Sequence, residues 1–153
     1  MSEIRRILDQ MDRAFHGEAW HGPSLMSLLE GVSAEDASKH TIHGVHSIWE
    51  LVNHIAAWHT VAQHRLAGET VDVPQERDWP HVWEVTETAW KRALDDLAES
   101  RARLRKAAEA LRDSDLDQIP AGTSVSRYQL LHGVVQHDLY HAGQIAILKK
   151  ALG

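Results

Sequence analysis

Apolar residues recur every three or four positions in four long stretches of the chain, the spacing that places them on one face of an α-helix. These stretches run from Ser2 to Gly17, from Ser47 to about Ala67, from about Thr86 to Arg112 and from Ser126 to Leu152. Two of them open with capping boxes, in which Ser47 precedes Glu50 and Ser126 precedes Gln129 by three residues. No segment has the two-residue period of a strand. The pattern predicts an all-α protein built as a four-helix bundle.

Two long connections separate the helices. Residues 17–46 hold a predicted short helix from Ser24 to Glu30 and a further turn near residues 34–37. Residues 68–85 contain Gly68, Pro74 and Pro80 and are predicted to be irregular. About 20 extended residues reach past the ~30 Å of a 20-residue helix. The second and third long helices can therefore run parallel, joined by a long crossover.

The 153 residues predict one domain, residues 1–153, with a single core. Lys and Arg number 16 against 22 Asp and Glu, a net charge of −6, which argues against a nucleic-acid partner. The chain has no cysteine, which excludes a disulfide and a Cys nucleophile. No stretch approaches the ~20 apolar residues of a membrane span. We expect a cytoplasmic protein with no membrane partner.

The strongest chemical signal is a pair of histidines on the fourth long helix. His137 and His141 are four residues apart, so their imidazoles project from one face on successive turns and can reach one metal ion. Both interrupt an apolar stripe, and a buried polar group without a partner costs about 1–3 kcal/mol. The alternative is two core histidines bonded to neighbouring hydroxyl or carbonyl groups.

A third imidazole is expected from the second long helix. His54 flanks the apolar stripe of that helix and is our candidate. His59 is five residues on and turned away around the helix, and His64 lies ~15 Å further along its axis. His43 and His46 precede the helix in a loop, where capping or solvent roles are expected rather than an independent metal site.

Asp138 is the candidate catalytic residue. The segment His137 to His141 is superficially similar to the zincin motif, which has Glu after its first histidine as general base. Asp138 could assist the activation of water, or it could be a second-shell or surface carboxylate. Trp58 and Trp90 fall on apolar stripes and are expected to pack in the core. Trp20, Trp79 and Trp83 lie in connections and could line a pocket, although core packing is the expected role for these three as well.

Together these motifs resemble the DinB/YfiT-like superfamily. The resemblance rests on Leu51-Val52-Asn53-His54-Ile55-Ala56 and on His137 to His141 followed by Gly143-Gln144-Ile145. Weaker similarity extends to Ala19 to Ser24, to His46 to Glu50 and to Asp78-Trp79-Pro80. It implies an up-down-down-up bundle, a homodimer and a divalent ion, usually nickel or zinc, held by three histidines that correspond to His54, His137 and His141.

The resemblance also implies chemistry. Characterised members of the superfamily include thiol S-transferases and a thiol-dependent isomerase that use low-molecular-weight thiols. We therefore expect a metal-dependent enzyme that transfers such a thiol cosubstrate to a small electrophilic substrate. The alternatives are a metal-dependent hydrolase, in which the same ion activates water, and a non-catalytic metal-binding stress-response protein.

Overall fold

The structure is a computed structural model that describes all 153 residues, with seven α-helices and no strand. The helices are α1 (Glu3–Phe15), α2 (Leu25–Leu29), α3 (Ala34–Ser38), α4 (Ile48–Leu66), α5 (Gln75–Asp78), α6 (Glu87–Glu109) and α7 (Arg127–Ala151). The long helices α1, α4, α6 and α7 are the four predicted from the apolar periodicity. The prediction of an all-α helical bundle is confirmed. No helix is both long enough and apolar enough to span a bilayer.

The ends of α4 and α7 follow from their sequences. Ser47 Oγ accepts the main-chain N–H of Glu50 (3.2 Å), and the Glu50 carboxylate accepts the N–H of Ser47 (2.8 Å). Ser126 and Gln129 form the equivalent pair at the start of α7 (3.2 and 2.9 Å). Both predicted capping boxes are therefore present, and each fixes the rotational position of the histidines that follow it.

The connection after α4 differs from its prediction. The sequence predicts an irregular connection, yet residues Gln75–Asp78 form α5, one helical turn. Pro74 precedes it with φ −65°, and the N–H of Trp79 closes the turn on the carbonyl of Gln75 (2.8 Å). A single turn is too short to show apolar periodicity, which is why the sequence did not reveal it.

The long helices meet around α4, which packs against both α6 and α7. The Trp49 ring, near the start of α4, lies 5.1 Å from that of Trp90, near the start of α6. Leu66, the last residue of α4, accepts a hydrogen bond through its carbonyl from Nε of Arg127, at the start of α7 (3.2 Å). The contact between α4 and the middle of α7 brings the predicted histidines together.

Candidate metal centre

Three histidines from two helices converge. Nε2 of His137 lies 3.0 Å from Nε2 of His54 and 3.1 Å from Nε2 of His141. The ligand atoms of the three residues all lie within 4.8 Å of one another, so together they can hold one metal ion. His54 and His141 are buried and His137 is half-buried.

The spacing of these nitrogens fits a metal centre. Two imidazole nitrogens that each lie about 2.0–2.1 Å from one ion are about 2.9–3.4 Å apart, and the two short distances fall in that range. Nδ1 of His54 donates to the main-chain carbonyl of Asp78 (2.6 Å), and Nδ1 of His141 donates to Oε1 of Gln144 (2.6 Å). In the neutral rings this leaves both Nε2 lone pairs free to face an ion.

The segment after α4 holds His54 in place. The indole of Trp79 stacks on the His54 ring, with 3.9 Å between ring centres and 8° between the ring planes. Trp79 also stacks on the ring of His46, at 3.6 Å and 9°. Trp58 donates its indole N–H to the carboxylate of Asp78 (2.7 Å), whose carbonyl in turn binds His54. The His54 imidazole therefore has both its plane and its tautomer fixed by residues 78 and 79.

Burial lowers the pKa of all three imidazoles. The pKa of His137 falls to about 4, because burial disfavours its charged form and neighbouring His141 and His54 add like charge. Burial is also the largest cause of the lowered pKa of His54 and of His141, opposed in each by the acceptor on Nδ1. Neutral imidazoles are the form that binds metal, so the cluster is in its ligand form at neutral pH.

These pKa values predict that the metal-free protein loses stability as the pH falls from about 6.5 toward 4. Imidazoles of the unfolded chain have pKa values of about 6.5 and protonate first, so protons favour the unfolded state below that pH. Above it both states carry neutral rings and the contribution is constant. The measurement is the free energy of unfolding in urea between about pH 7 and pH 4, for the wild type and for His137→Ala. Parallel pH profiles for the two proteins would contradict the prediction.

The other histidines lie outside the cluster. His59, the alternative to His54 as the third ligand, is buried on the neighbouring face of α4. His64 pairs with Glu69 (2.7 Å) near the end of the same helix. His43 is exposed, and His46 bonds Glu50 (3.2 Å) as well as stacking on Trp79.

Asp138 is not a surface residue. It is 1% exposed, and one of its carboxylate oxygens accepts a hydrogen bond from Nε2 of His59 at 2.8 Å. Ser100 of α6 places its hydroxyl 3.4 Å from Nδ1 of the same imidazole. The surface alternative stated for Asp138 is therefore wrong, because α7 turns this residue toward α4 and α6 rather than toward solvent.

The tryptophans divide differently from their predicted roles. Trp90 is buried, as expected, and donates to the carbonyl of Val32 (2.7 Å). Trp58 is only half-buried, so its prediction as a core residue is wrong. Trp20 and Trp83 are exposed rather than packed in the core, whereas Trp79 reaches the cluster.

A cavity of about 260 Å³ adjoins the cluster between α4 and the first half of α7. His137 belongs to both, since its imidazole lines the cavity and its Nε2 faces the other two histidines. Trp58, Ala62 and Val134 contribute much of the apolar wall. A small molecule in this cavity would therefore lie against the candidate metal centre.

The fold and the site together indicate a metal-binding helical bundle, with three converging histidines on two of its helices. The family model of the DinB superfamily matches residues 19–145, and the chain belongs to this superfamily. The match includes all three histidines of the cluster. Among curated proteins and among solved structures, none matches the chain.

Proposed function

We propose that this protein is a metal-dependent enzyme that transfers a low-molecular-weight thiol to a small electrophilic substrate. The observation that carries the proposal is the shared position of His137, in the three-histidine cluster and in the wall of the adjoining cavity. A purely structural metal site needs no such opening, whereas an enzyme must bring a substrate to the ion.

His54, His137 and His141 are the proposed ligands of a divalent ion, nickel or zinc. Imidazole nitrogen suits both metals, and three protein ligands leave room for a further one. Such an ion lowers the pKa of a thiol that binds to it and so supplies a thiolate at neutral pH. The protein holds the rings of His54 and His141 through Asp78, Trp79 and Gln144, and burial lowers the pKa of all three imidazoles.

The chain has no thiol of its own, which fits a reaction in which the nucleophile arrives with a cosubstrate. In the proposed transfer the thiol sulfur forms a bond to carbon of the electrophile. The bond from that carbon to its leaving group breaks, and the leaving group departs with the electron pair and the thiol proton.

Asp138 is proposed to act through His59 rather than on the substrate. His59 lines the cavity, and the buried carboxylate of Asp138 fixes its ring from behind at 2.8 Å. Asp138 is thus a positioning residue: it orients one wall of the cavity beside His137 and has no direct contact with a reactant.

We also propose a single domain in which the four long helices run up-down-down-up. Three contacts support these directions. Trp49 contacts Trp90 near the starts of α4 and α6, and Leu66 at the end of α4 contacts Arg127 at the start of α7. Asp113, just after the end of α6, accepts the N–H of Ile4 near the start of α1 (3.0 Å). Nuclear Overhauser effects between the Trp49 and Trp90 rings would check the parallel pair. Their absence in the folded protein would contradict this order.

The transfer reaction predicts a metal-dependent activity with a spectroscopic signature. The metal-free protein should have no thiol-transfer activity, and nickel or zinc should restore it. Adding a small thiol to a cobalt-substituted form should introduce a sulfur-to-metal charge-transfer band through a new sulfur ligand. Several small thiols that leave the cobalt spectrum unchanged would contradict thiol transfer and favour hydrolysis or a binding role.

A further inference from the structure

The cavity beside the cluster contains one charged group for which the proposed metal chemistry has no use. Arg65, the penultimate residue of α4, lines the cavity together with Trp58 and His137. No Asp or Glu residue lines it, so Arg65 is its only permanently charged residue. The cavity therefore combines apolar walls with a single fixed positive charge.

Arg65 has no acidic partner in the protein. It takes part in none of the ion pairs, although six other arginines do. Its Nε is shielded from solvent and forms no hydrogen bond with the protein. A shielded donor of a charged group without a partner is unfavourable, and an acceptor from a bound molecule would satisfy it.

Trp58 fixes the position of the guanidinium and joins it to the cluster. Cζ of Arg65 lies 5.4 Å from the centre of the Trp58 ring, and that ring lies 5.9 Å from the imidazole of His137. The indole is itself anchored, because its N–H donates to Asp78 (2.7 Å). The Trp58 indole therefore lies close to both the Arg65 guanidinium and the His137 imidazole.

We propose that Arg65 binds the carboxylate of a small substrate whose apolar body lies along Trp58 and whose reactive end faces His137. This inference rests on the proposed function and names the substrate class of that site. A planar guanidinium matches a carboxylate with two parallel hydrogen bonds. One positive charge in a mainly apolar cavity suits a monoanion, whereas a phosphate dianion needs several donors.

The carboxylate can belong to either reactant, the thiol or the electrophile. The two sources share the chemistry at Arg65 and differ in kinetics. With a carboxylate-bearing electrophile and a neutral thiol, Arg65→Met should raise the KM of the electrophile alone. With the carboxylate on the thiol, it should raise the KM of the thiol alone.

Direct binding tests the inference without turnover. The probe is benzoate, compared with neutral benzamide, titrated calorimetrically into metal-free wild-type protein so that no ion can bind the carboxylate. We expect benzoate to bind more tightly than benzamide, and Arg65→Met to weaken benzoate about 10- to 100-fold while leaving benzamide unchanged. Arg65→Lys keeps the charge and loses the planar fork, so its benzoate affinity should lie between those of the wild type and Arg65→Met.

Arg103→Met is the matched control, since it removes one exposed positive charge on α6 away from the cavity. Its benzoate affinity should equal that of the wild type. The inference would be overturned if folded wild-type protein bound no benzoate, bound benzoate and benzamide equally, or bound inorganic phosphate more tightly than benzoate. An unchanged benzoate affinity in folded Arg65→Met would overturn it as well. A chain that binds benzoate through Arg65 but takes up no metal would instead refute the proposed function alone.

Discussion

Replacing His141 by alanine should reduce the bound divalent metal from about one ion per chain to background while the protein keeps its helical content. His141 supplies one of three converging nitrogens, and its Nε2 lies 3.1 Å from that of His137. Two remaining imidazoles form an incomplete site, because protein metal centres of this type use at least three protein ligands. Elemental analysis of protein purified without a His tag measures the metal, and far-ultraviolet circular dichroism measures the helix.

His132→Ala is the matched control for this experiment. His132 lies on the same helix, but its ring contacts Tyr128 (4.4 Å between ring centres) and does not join the cluster. This variant should retain the full metal content. Stoichiometric metal in His141→Ala, or equal loss in both variants, would contradict the assignment of the three ligands.

Replacing Asp138 by alanine should lower the free energy of unfolding by about 2–4 kcal/mol, because a buried donor left without an acceptor costs about 1–3 kcal/mol and the void left by the side chain adds to that cost. The side chains of Asp138 and His59 are 2% and 1% exposed, and their hydrogen bond is 2.8 Å long. Alanine leaves the imidazole donor without an acceptor and opens a void between α4 and α7. Urea denaturation of the metal-free protein measures the change apart from any effect on metal binding.

Two further variants separate the buried pair from a general loss of charge. Asp138→Asn keeps the shape and an acceptor oxygen, so the free energy of unfolding should fall by only about 1–2 kcal/mol. Its metal content should be unchanged, and its rate of thiol transfer should be reduced. Asp95→Ala removes an exposed carboxylate paired with Lys91, which should cost less than about 1 kcal/mol. Equal effects of Asp138→Ala and Asp95→Ala would contradict a structural role for the buried pair.

The long helices and two of the cluster histidines could be predicted because both follow from spacing along one helix. Capping boxes at Ser47 and Ser126 set where α4 and α7 begin, and the interval between His137 and His141 places both rings on one side of α7. His54 could be chosen over His59 because the two residues point in different directions around α4. The structure brings His54, and not His59, to the α7 pair.

The contacts that support the cluster could not be predicted in the same way. Asp78 and Trp79 lie 24 and 25 residues after His54, at the end of α5, and a single helical turn has no apolar period that would fix its path. The partnership of Asp138 with His59 joins residues 79 positions apart. The apolar stripe of α4 predicts Trp58 in the core, but its indole N–H donates to Asp78 beside the cavity.

The connection between α4 and α6 has a consequence for engineering a smaller scaffold from this chain. Deleting loop residues is a common route to a more compact and more stable protein, since a shorter loop costs less entropy to close. Here such a deletion would remove Asp78 and Trp79, and with them the hydrogen bond and the stacking partner of His54. A trimmed bundle could retain its four long helices and still misalign one imidazole, so the shortest chain that keeps the candidate metal centre is longer than the shortest chain that folds.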